Sequence, residues 1–245
     1  MKITARPLLG ALLLALTLPA VAYDPVGYGR RDYDYYNRFQ DGLMNQFQYD
    51  LVDPVRKDLN RRQREAAAKE RETAPIRAAA TTYTPVQRDG AAIEPLVTAY
   101  PTDAQGKVRR EFTNLLGTFR KLEKQFGLPA NDVATAVAAY LAGSYAAYTD
   151  VTLPDAHFKP LVAQMRRALQ DDAQFAKASD ATRQQMYEQL VTLGMLMTVT
   201  QLGLQQNPDA RINADMRAAG GNYLESFLGV PASRVHISAQ GLELE

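Results

Sequence analysis

The chain has 245 residues, of which 46% are hydrophobic and 22% are charged, and its formal net charge is +1. This composition is typical of a folded globular protein, and the near-neutral charge gives no overall attraction to nucleic acid. With no Cys and only two His, thiol catalysis, disulfides and Cys-based metal sites are excluded, and a multi-histidine metal site has too few ligands. We therefore expect neither a cofactor nor a bound metal.

The first 22 residues have the three zones of a secretory signal peptide. Lys2 and Arg6 supply positive charge, Leu8 to Leu18 is an apolar run, and Ala20-Val21-Ala22 offers a cleavage site. The apolar stretch is shorter than the roughly 20 residues that span a bilayer, so cleavage is favoured over an uncleaved anchor. We expect a periplasmic or secreted protein with no transmembrane segment after cleavage. Removing residues 1–22 lowers the formal net charge from +1 to −1.

Residues 23–54 form a Tyr-rich segment that we interpret as a flexible arm. It holds six Tyr, three Arg and six Asp, with no helical or strand period. Aromatic residues mixed with Arg can stack on single-stranded nucleic acid, but the acidic balance argues against that partner. We expect some of the tyrosines to pack on the folded domain or on a partner.

Residues 55–80 are predicted to form a charged helical spacer followed by a linker. The spacer contains eight basic and four acidic residues and almost no large apolar side chain. A helix that is polar on all sides is solvent-exposed or only partly formed. The alternative is a basic surface for anionic lipid or wall polymer.

The remaining residues, 81–245, show the 3.6-residue period of amphipathic helices. We predict an all-α domain, orthogonal or bundle-like, with five helices and a short extended C-terminal tail in which Val235 and Ile237 alternate with polar residues. The five helices are expected to start at Pro101-Thr102-Asp103, Asn131-Asp132, Pro154-Asp155, Ser179-Asp180 and Pro208-Asp209.

Three of these helices carry further signals. Ala134, Ala138 and Ala142 form a strip of small side chains that permits close packing of the second helix. The uncharged stretch from Leu190 to Leu204 is too short and too polar for a membrane span and predicts a central core helix. Gly220-Gly221 is expected to bend or divide the fifth helix.

Candidate site residues are few. Tyr140, Tyr145 and Tyr148 lie towards one helix end and are candidates for a ligand-binding site, the alternative being that they fill the edge of the core. His157 and His236 lie in separate parts of the sequence, and no known catalytic motif accompanies them.

Carboxylate chemistry needs neither His nor Cys. Pairing Glu94 with Asp132 or Asp150 would suit glycosidic hydrolysis if the two side chains lay about 5 to 9 Å apart. Asp132 already has an explanation as a helix-start residue.

Three segments carry a resemblance to a known family. They are Tyr83-Thr84-Pro85, the run from Gly127 to Ala136, and the ending from Leu228-Gly229-Val230-Pro231 to Gly241-Leu242. In these segments, residues 81–242 resemble a family of uncharacterised, exported bacterial helical domains. The resemblance implies a helical fold and carries over no catalytic residue.

Together, these features predict an exported protein that binds or assembles at the cell envelope, with an envelope protein or wall polymer as its partner. Two alternatives stay open. One is a carboxylate-dependent hydrolase of wall glycan or peptide, and the other is a toxin or immunity-type protein with one dedicated partner.

Overall fold

The computed structural model describes residues 81–245, so the predicted signal peptide, arm and spacer at 1–22, 23–54 and 55–80 lie outside the described residues. The described part is mostly helical, with seven α-helices and one short antiparallel sheet. The helices are α1 Glu94–Thr98, α2 Thr102–Phe126, α3 Val133–Thr149, α4 Asp155–Gln170, α5 Ala173–Lys177, α6 Asp180–Gln206 and α7 Ala210–Leu228, and the strands are β1 Val235–Ser238 and β2 Gly241–Leu244.

The five predicted helices are confirmed as α2, α3, α4, α6 and α7, and local chemistry explains their ends. The side chains of Asp132, Ser179 and Asp209 accept hydrogen bonds from backbone N–H groups in the first turns of α3, α6 and α7. Gly127 and Gly229 end α2 and α7 with φ of 65° and 67°, a left-handed conformation that costs glycine little.

The prediction of five helices and an extended tail was incomplete. Helices α1 and α5 have five residues each, too few to show a hydrophobic period. The tail is a hairpin in which Val235 pairs with Leu244 and Ser238 with Gly241. Gln164 of α4 holds this hairpin, because its Nε2 donates to the Leu242 carbonyl at 2.9 Å and its Oε1 accepts from the Leu242 N–H at 2.7 Å.

Helix α3 lies at the centre of the fold and packs against α4, α6 and α7. Small residues beside the predicted alanine strip allow the neighbouring backbones to approach. A Cβ atom added at Gly143 would lie 2.3 Å from the Gly194 carbonyl oxygen on α6. The middle of α6 is buried, so the prediction of a core helix there is confirmed. Within residues 81–245, none of the helices combines the length and apolarity that crossing a membrane requires.

Gly220-Gly221 was predicted to bend or divide the fifth helix, and a division there is wrong, since α7 is one helix from Ala210 to Leu228. A Cβ atom at Gly220 would lie 2.5 Å from the Ser144 carbonyl oxygen, and one at Gly221 would lie 3.1 Å from the Tyr148 ring. The two glycines therefore serve close packing of α7 on α3, and this contact stabilises a helix that the glycines alone would weaken.

Residues 81–93, called here the leading segment, are held against α6 by polar side chains. Gln184 Oε1 accepts from the N–H groups of Val86 and Gln87, both at 3.0 Å. Glu188 accepts from the N–H groups of Gly90 at 3.2 Å and Ala92 at 2.9 Å. These bonds, two buried and two partly buried, satisfy backbone N–H groups of the leading segment.

Candidate functional site

An apolar groove lies between α2, α3, α6 and the start of α4. The groove is partly open to solvent, and its cavity volume is about 110 Å³. Its wall is made of the following side chains: Phe119, Leu122, Glu123, Phe126, Leu128, Ala139, Ala142, Ala146, Thr152, Leu153, Pro154, Asp155, Phe158, Gly194, Met195, Thr198, Gln201 and Leu202. Such a concave, largely apolar site with a few polar groups is the usual form of a small-molecule site.

The groove exists because one of its walls is built from small residues. Ala139, Ala142 and Ala146 line it from α3, and Gly194 lines it from α6. Larger side chains on α2 and α4 form the opposite side, where the Phe126 and Phe158 rings lie 6.2 Å apart between centroids. The alanines that let helices pack closely therefore also leave space where α3 faces the groove.

Glu123 is a charged residue placed in this apolar wall. Its side chain is only 2% exposed. Tyr187 Oη donates to Glu123 Oε2 at 2.8 Å, whereas Oε1 has no hydrogen-bond partner among the described residues. Burial raises the pKa of Glu123 to about 7, against the lowering effects of the Tyr187 hydrogen bond and the Arg120 charge. The carboxyl group therefore changes charge near neutral pH.

The groups around Glu123 belong to a connected polar cluster. Arg120 forms an ion pair with Asp89, and its guanidinium lies 6.0 Å from the centroid of the Tyr187 ring. The Tyr83 and Tyr187 rings meet edge to face with centroids 5.5 Å apart. Burial raises the pKa of Tyr187 far above its ordinary value, and the nearby Glu123 charge adds to this. Tyr187 therefore stays a neutral donor to Glu123.

Replacing Glu123 with glutamine is expected to remove part of the pH dependence of stability. The pKa of Glu123 is higher in the folded chain, at about 7, than the ordinary 4.5, so its stabilising contribution is complete below pH 4.5 and is lost as the pH rises through 7. By this linkage, the Glu123→Gln variant should match the parent at pH 4.5 and be about 1 to 3 kcal/mol more stable at pH 8. Urea unfolding between pH 4.5 and 8 measures the difference.

Glu111→Gln is the matched control, because it makes the same change of charge on the same helix. It should leave the pH dependence of the parent unchanged. An equal slope in the parent and in Glu123→Gln would show that Glu123 does not titrate in this range.

Gln201 is a second polar group in the groove wall with a free acceptor. It is 2% exposed, and its Nε2 donates to Asp150. Gln201 Oε1 is buried without a hydrogen-bond partner among the described residues. Asp150 also accepts from Asn213 Nδ2 at 3.0 Å, so this end of the groove is braced by a chain of polar side chains.

The three tyrosines predicted to bind ligand lie apart from the groove wall. Tyr140 is 1% exposed and packs on Tyr223 and Phe227 in the core. Tyr145 is half-buried, and its Oη lies 3.3 Å from His236 Nδ1. Tyr148 is half-buried against Gly221. None of the three lines this groove, and their role in binding stays a prediction.

The three carboxylates considered for hydrolysis have separate structural partners. Glu94 forms a bidentate ion pair with Arg109, in which Nε and Nη2 donate to the two carboxylate oxygens at 2.7 and 2.8 Å. These hydrogen bonds hold the pKa of Glu94 below its usual range. Asp132 is bound by Arg166 at 2.6 Å, and Asp150 by Gln201 and Asn213. Within residues 81–245, no group of three or more His, Asp or Glu side chains could hold a metal ion.

A family model matches residues 1–245 over their whole length. The chain belongs to DUF6683, a family of unknown function. The resemblance to an uncharacterised family is therefore confirmed. No curated protein and no solved structure matches the chain.

Glu123 was missed by sequence reasoning, although this DUF6683 chain carries a signal for it. On α2 the core-facing positions recur at Phe112, Leu116 and Phe119 and continue to Phe126. Glu123 stands on that stripe, four residues after Phe119 and three before Phe126. A charged residue on the apolar face of a helix requires a buried partner or a function, and this was the available indication.

Proposed function

We propose that this protein is exported to the cell envelope and acts there as a binding protein that holds a single-chain apolar ligand in the groove. The proposal of export is supported by the charged, apolar and small-residue zones of residues 1–22. The proposal of binding is supported by the groove itself. Its wall is apolar apart from five residues, Glu123, Thr152, Asp155, Thr198 and Gln201.

The shape of the groove favours a linear ligand. The α6 residues in its wall run from Gly194 to Leu202, a rise of about 12 Å along the helix. The α3 residues Ala139, Ala142 and Ala146 follow a similar line along the neighbouring helix. A ligand that lies along the two helices contacts both of these walls, and burial of its apolar surface provides the driving force.

The structure favours binding over the hydrolase alternative. A carboxylate pair for glycosidic hydrolysis needs one group free to donate a proton and another free to act as base or nucleophile. Glu94 and Asp132 are each held by an arginine, and Asp150 by two amides. These contacts suit structural roles.

Filling the groove is expected to abolish binding of an apolar dye. The Ala142→Phe variant places a ring in the groove wall, so Nile red, a neutral dye that becomes fluorescent in apolar surroundings, should bind it at least about tenfold more weakly than the parent, residues 23–245. Fluorescence titration gives both dissociation constants. Circular dichroism and thermal melting show whether the variant folds.

Ala218→Phe is the control, since it makes the same substitution at an exposed position of α7. It should bind dye as the parent does. If Ala142→Phe fails to fold, Leu202→Lys, which puts a charge at a partly exposed position of the α6 wall, replaces it. Equal dye binding by the parent and a folded groove variant would overturn the proposal, as would an absence of binding by the parent.

A further inference from the structure

We infer that the ligand of the groove is a primary amine with an apolar chain, and that its ammonium group binds at Glu123. The inference rests on the proposed binding function and names the chemical class of the ligand. It follows from the charges of the groove wall, from the unpaired atom of Glu123 and from the cost of burying a carboxylate alone.

The charges of the wall are all of one sign. Glu123 and Asp155 are its two ionisable residues, and no Lys, Arg or His is among the described residues that line it. Such a wall repels a carboxylate or phosphate head and attracts an ammonium. Because the rest of the wall is apolar and excludes water, this attraction is stronger than at an exposed surface.

Glu123 offers the position for the ammonium group. Tyr187 occupies Oε2. Oε1 is buried and has no hydrogen-bond partner among the described residues, so it is the carboxylate atom left for a donor that a ligand inserts into the wall. Three other ionisable groups act on this carboxyl group: Arg120 on α2, Asp132 at the start of α3 and Tyr187 on α6. Arg120 is paired with Asp89, and Asp132 with Arg166, so these two charges already have partners.

The energetics favour filling that position. Burying a carboxylate is costly, which is why the pKa of Glu123 is raised to about 7 despite the nearby charge of Arg120. An ammonium that donates to Oε1 supplies a charge-assisted hydrogen bond and stabilises the ionised form. Gln201 Oε1 is also a free acceptor, but the Gln201 side chain is neutral. It also lies far from Tyr187, the hydrogen-bond partner of Glu123, because the two residues are fourteen positions apart on α6, a rise of about 21 Å. The ammonium is therefore assigned to Glu123.

Three ligands with the same ten-carbon chain test the assignment: decylamine, 1-decanol and decanoate. Isothermal titration calorimetry of residues 23–245 at pH 8, below the concentration at which each ligand aggregates, gives their affinities. We expect decylamine to bind at least about tenfold more tightly than decanoate. Its affinity should fall at least about fivefold between pH 8 and pH 5, since Glu123 becomes neutral while the amine stays charged.

Two variants test whether Glu123 is the group that binds the ammonium. Glu123→Gln retains an oxygen that can accept from Tyr187, and it should weaken decylamine binding about tenfold while 1-decanol binding changes less than threefold. Glu111→Gln, which makes the same change of charge on the same helix outside the groove wall, should change both affinities less than threefold. If Glu123→Gln does not fold, the preference of the parent for amine and its pH dependence still decide the question.

The failure of this inference can be told from failure of the proposed function. Equal binding of all three ligands, tighter binding of decanoate, or a preference for decylamine that is kept in Glu123→Gln would overturn the assignment and leave the apolar site in place. If none of the three ligands and no dye binds, the proposed function itself fails.

Discussion

Replacing Asp132 with alanine is expected to lower the free energy of unfolding by about 3 to 4 kcal/mol. Asp132 is fully buried and accepts four hydrogen bonds: from Thr81 at 2.6 Å, the Ala134 N–H at 3.3 Å, Thr135 at 2.7 Å and Arg166 at 2.6 Å. Its loss leaves these donors without their acceptor and removes the side-chain bond between Thr81 and the start of α3. Urea unfolding at pH 7 and 25 °C measures the change.

Asp209→Ala is the matched control, because Asp209 caps α7 by accepting from Arg211 and Ile212 N–H groups and its side chain is exposed. Loss of this ordinary cap should cost about 1 kcal/mol. If the two variants lost the same stability, the buried cluster around Asp132 would contribute no more than a helix cap, contrary to our interpretation.

Replacing Gly143 with alanine is expected to destabilise the protein by about 3 kcal/mol or more. The added Cβ atom would lie 2.3 Å from the Gly194 carbonyl oxygen and 3.0 Å from Thr198 Oγ1, so α3 and α6 have to move apart. Since the obstacle at Gly194 is backbone, a change of rotamer cannot relieve it. The unfolding free energy from urea titration is again the measurement.

Gly117→Ala is the matched control, because the same substitution at this position is expected to stabilise the protein. Gly117 is an exposed residue of α2, and a Cβ atom there would meet nothing within 4 Å. Alanine at this position should raise the unfolding free energy by about 0.5 to 1 kcal/mol, because it has the higher helix propensity. A Gly143→Ala variant as stable as the parent would show that the close approach of α3 and α6 is not required.

The long helices could be predicted because their sequences carry a period and end signals. Phe112, Leu116 and Phe119 recur on one face of α2, and Gly127 ends it. The hairpin was harder, because β2 is four residues long and shows only a weak alternation, and its anchoring by Gln164 depends on residues 78 apart in sequence. Contacts between residues so far apart in the sequence cannot be derived from a local sequence pattern.

The groove illustrates the same limit. The alanine strip on α3 was interpreted as a packing surface. The closest contacts with α6 lie beside the strip, at Gly143 and Ala139, so the role of the strip itself stays a prediction. That Ala139, Ala142 and Ala146 also face an opening depends on the position of α4 and of the loop before it, which no periodicity specifies. Glu123 could have been singled out on the apolar face of α2, but its unpaired Oε1 could be recognised only once Tyr187 was placed.

The groove lies beside a closely packed part of the fold. The leading segment, α3 and α6 are tied together by buried polar groups and close backbone contacts. The groove beside them has an apolar wall with two free acceptors, Glu123 Oε1 and Gln201 Oε1. A rigid frame around such a wall is what preorganised ligand binding requires.

The position of a bound ligand tests this account most directly. With methionine methyl groups labelled with carbon-13, nuclear Overhauser contacts from decylamine methylenes should reach Met195, which lines the groove, and not Met216, which lies on α7 outside it. Contacts to Met195 that disappear in Ala142→Phe are the result we expect. Bound decylamine that gives contacts to Met216 and none to Met195 would contradict the assignment of the groove as the binding site.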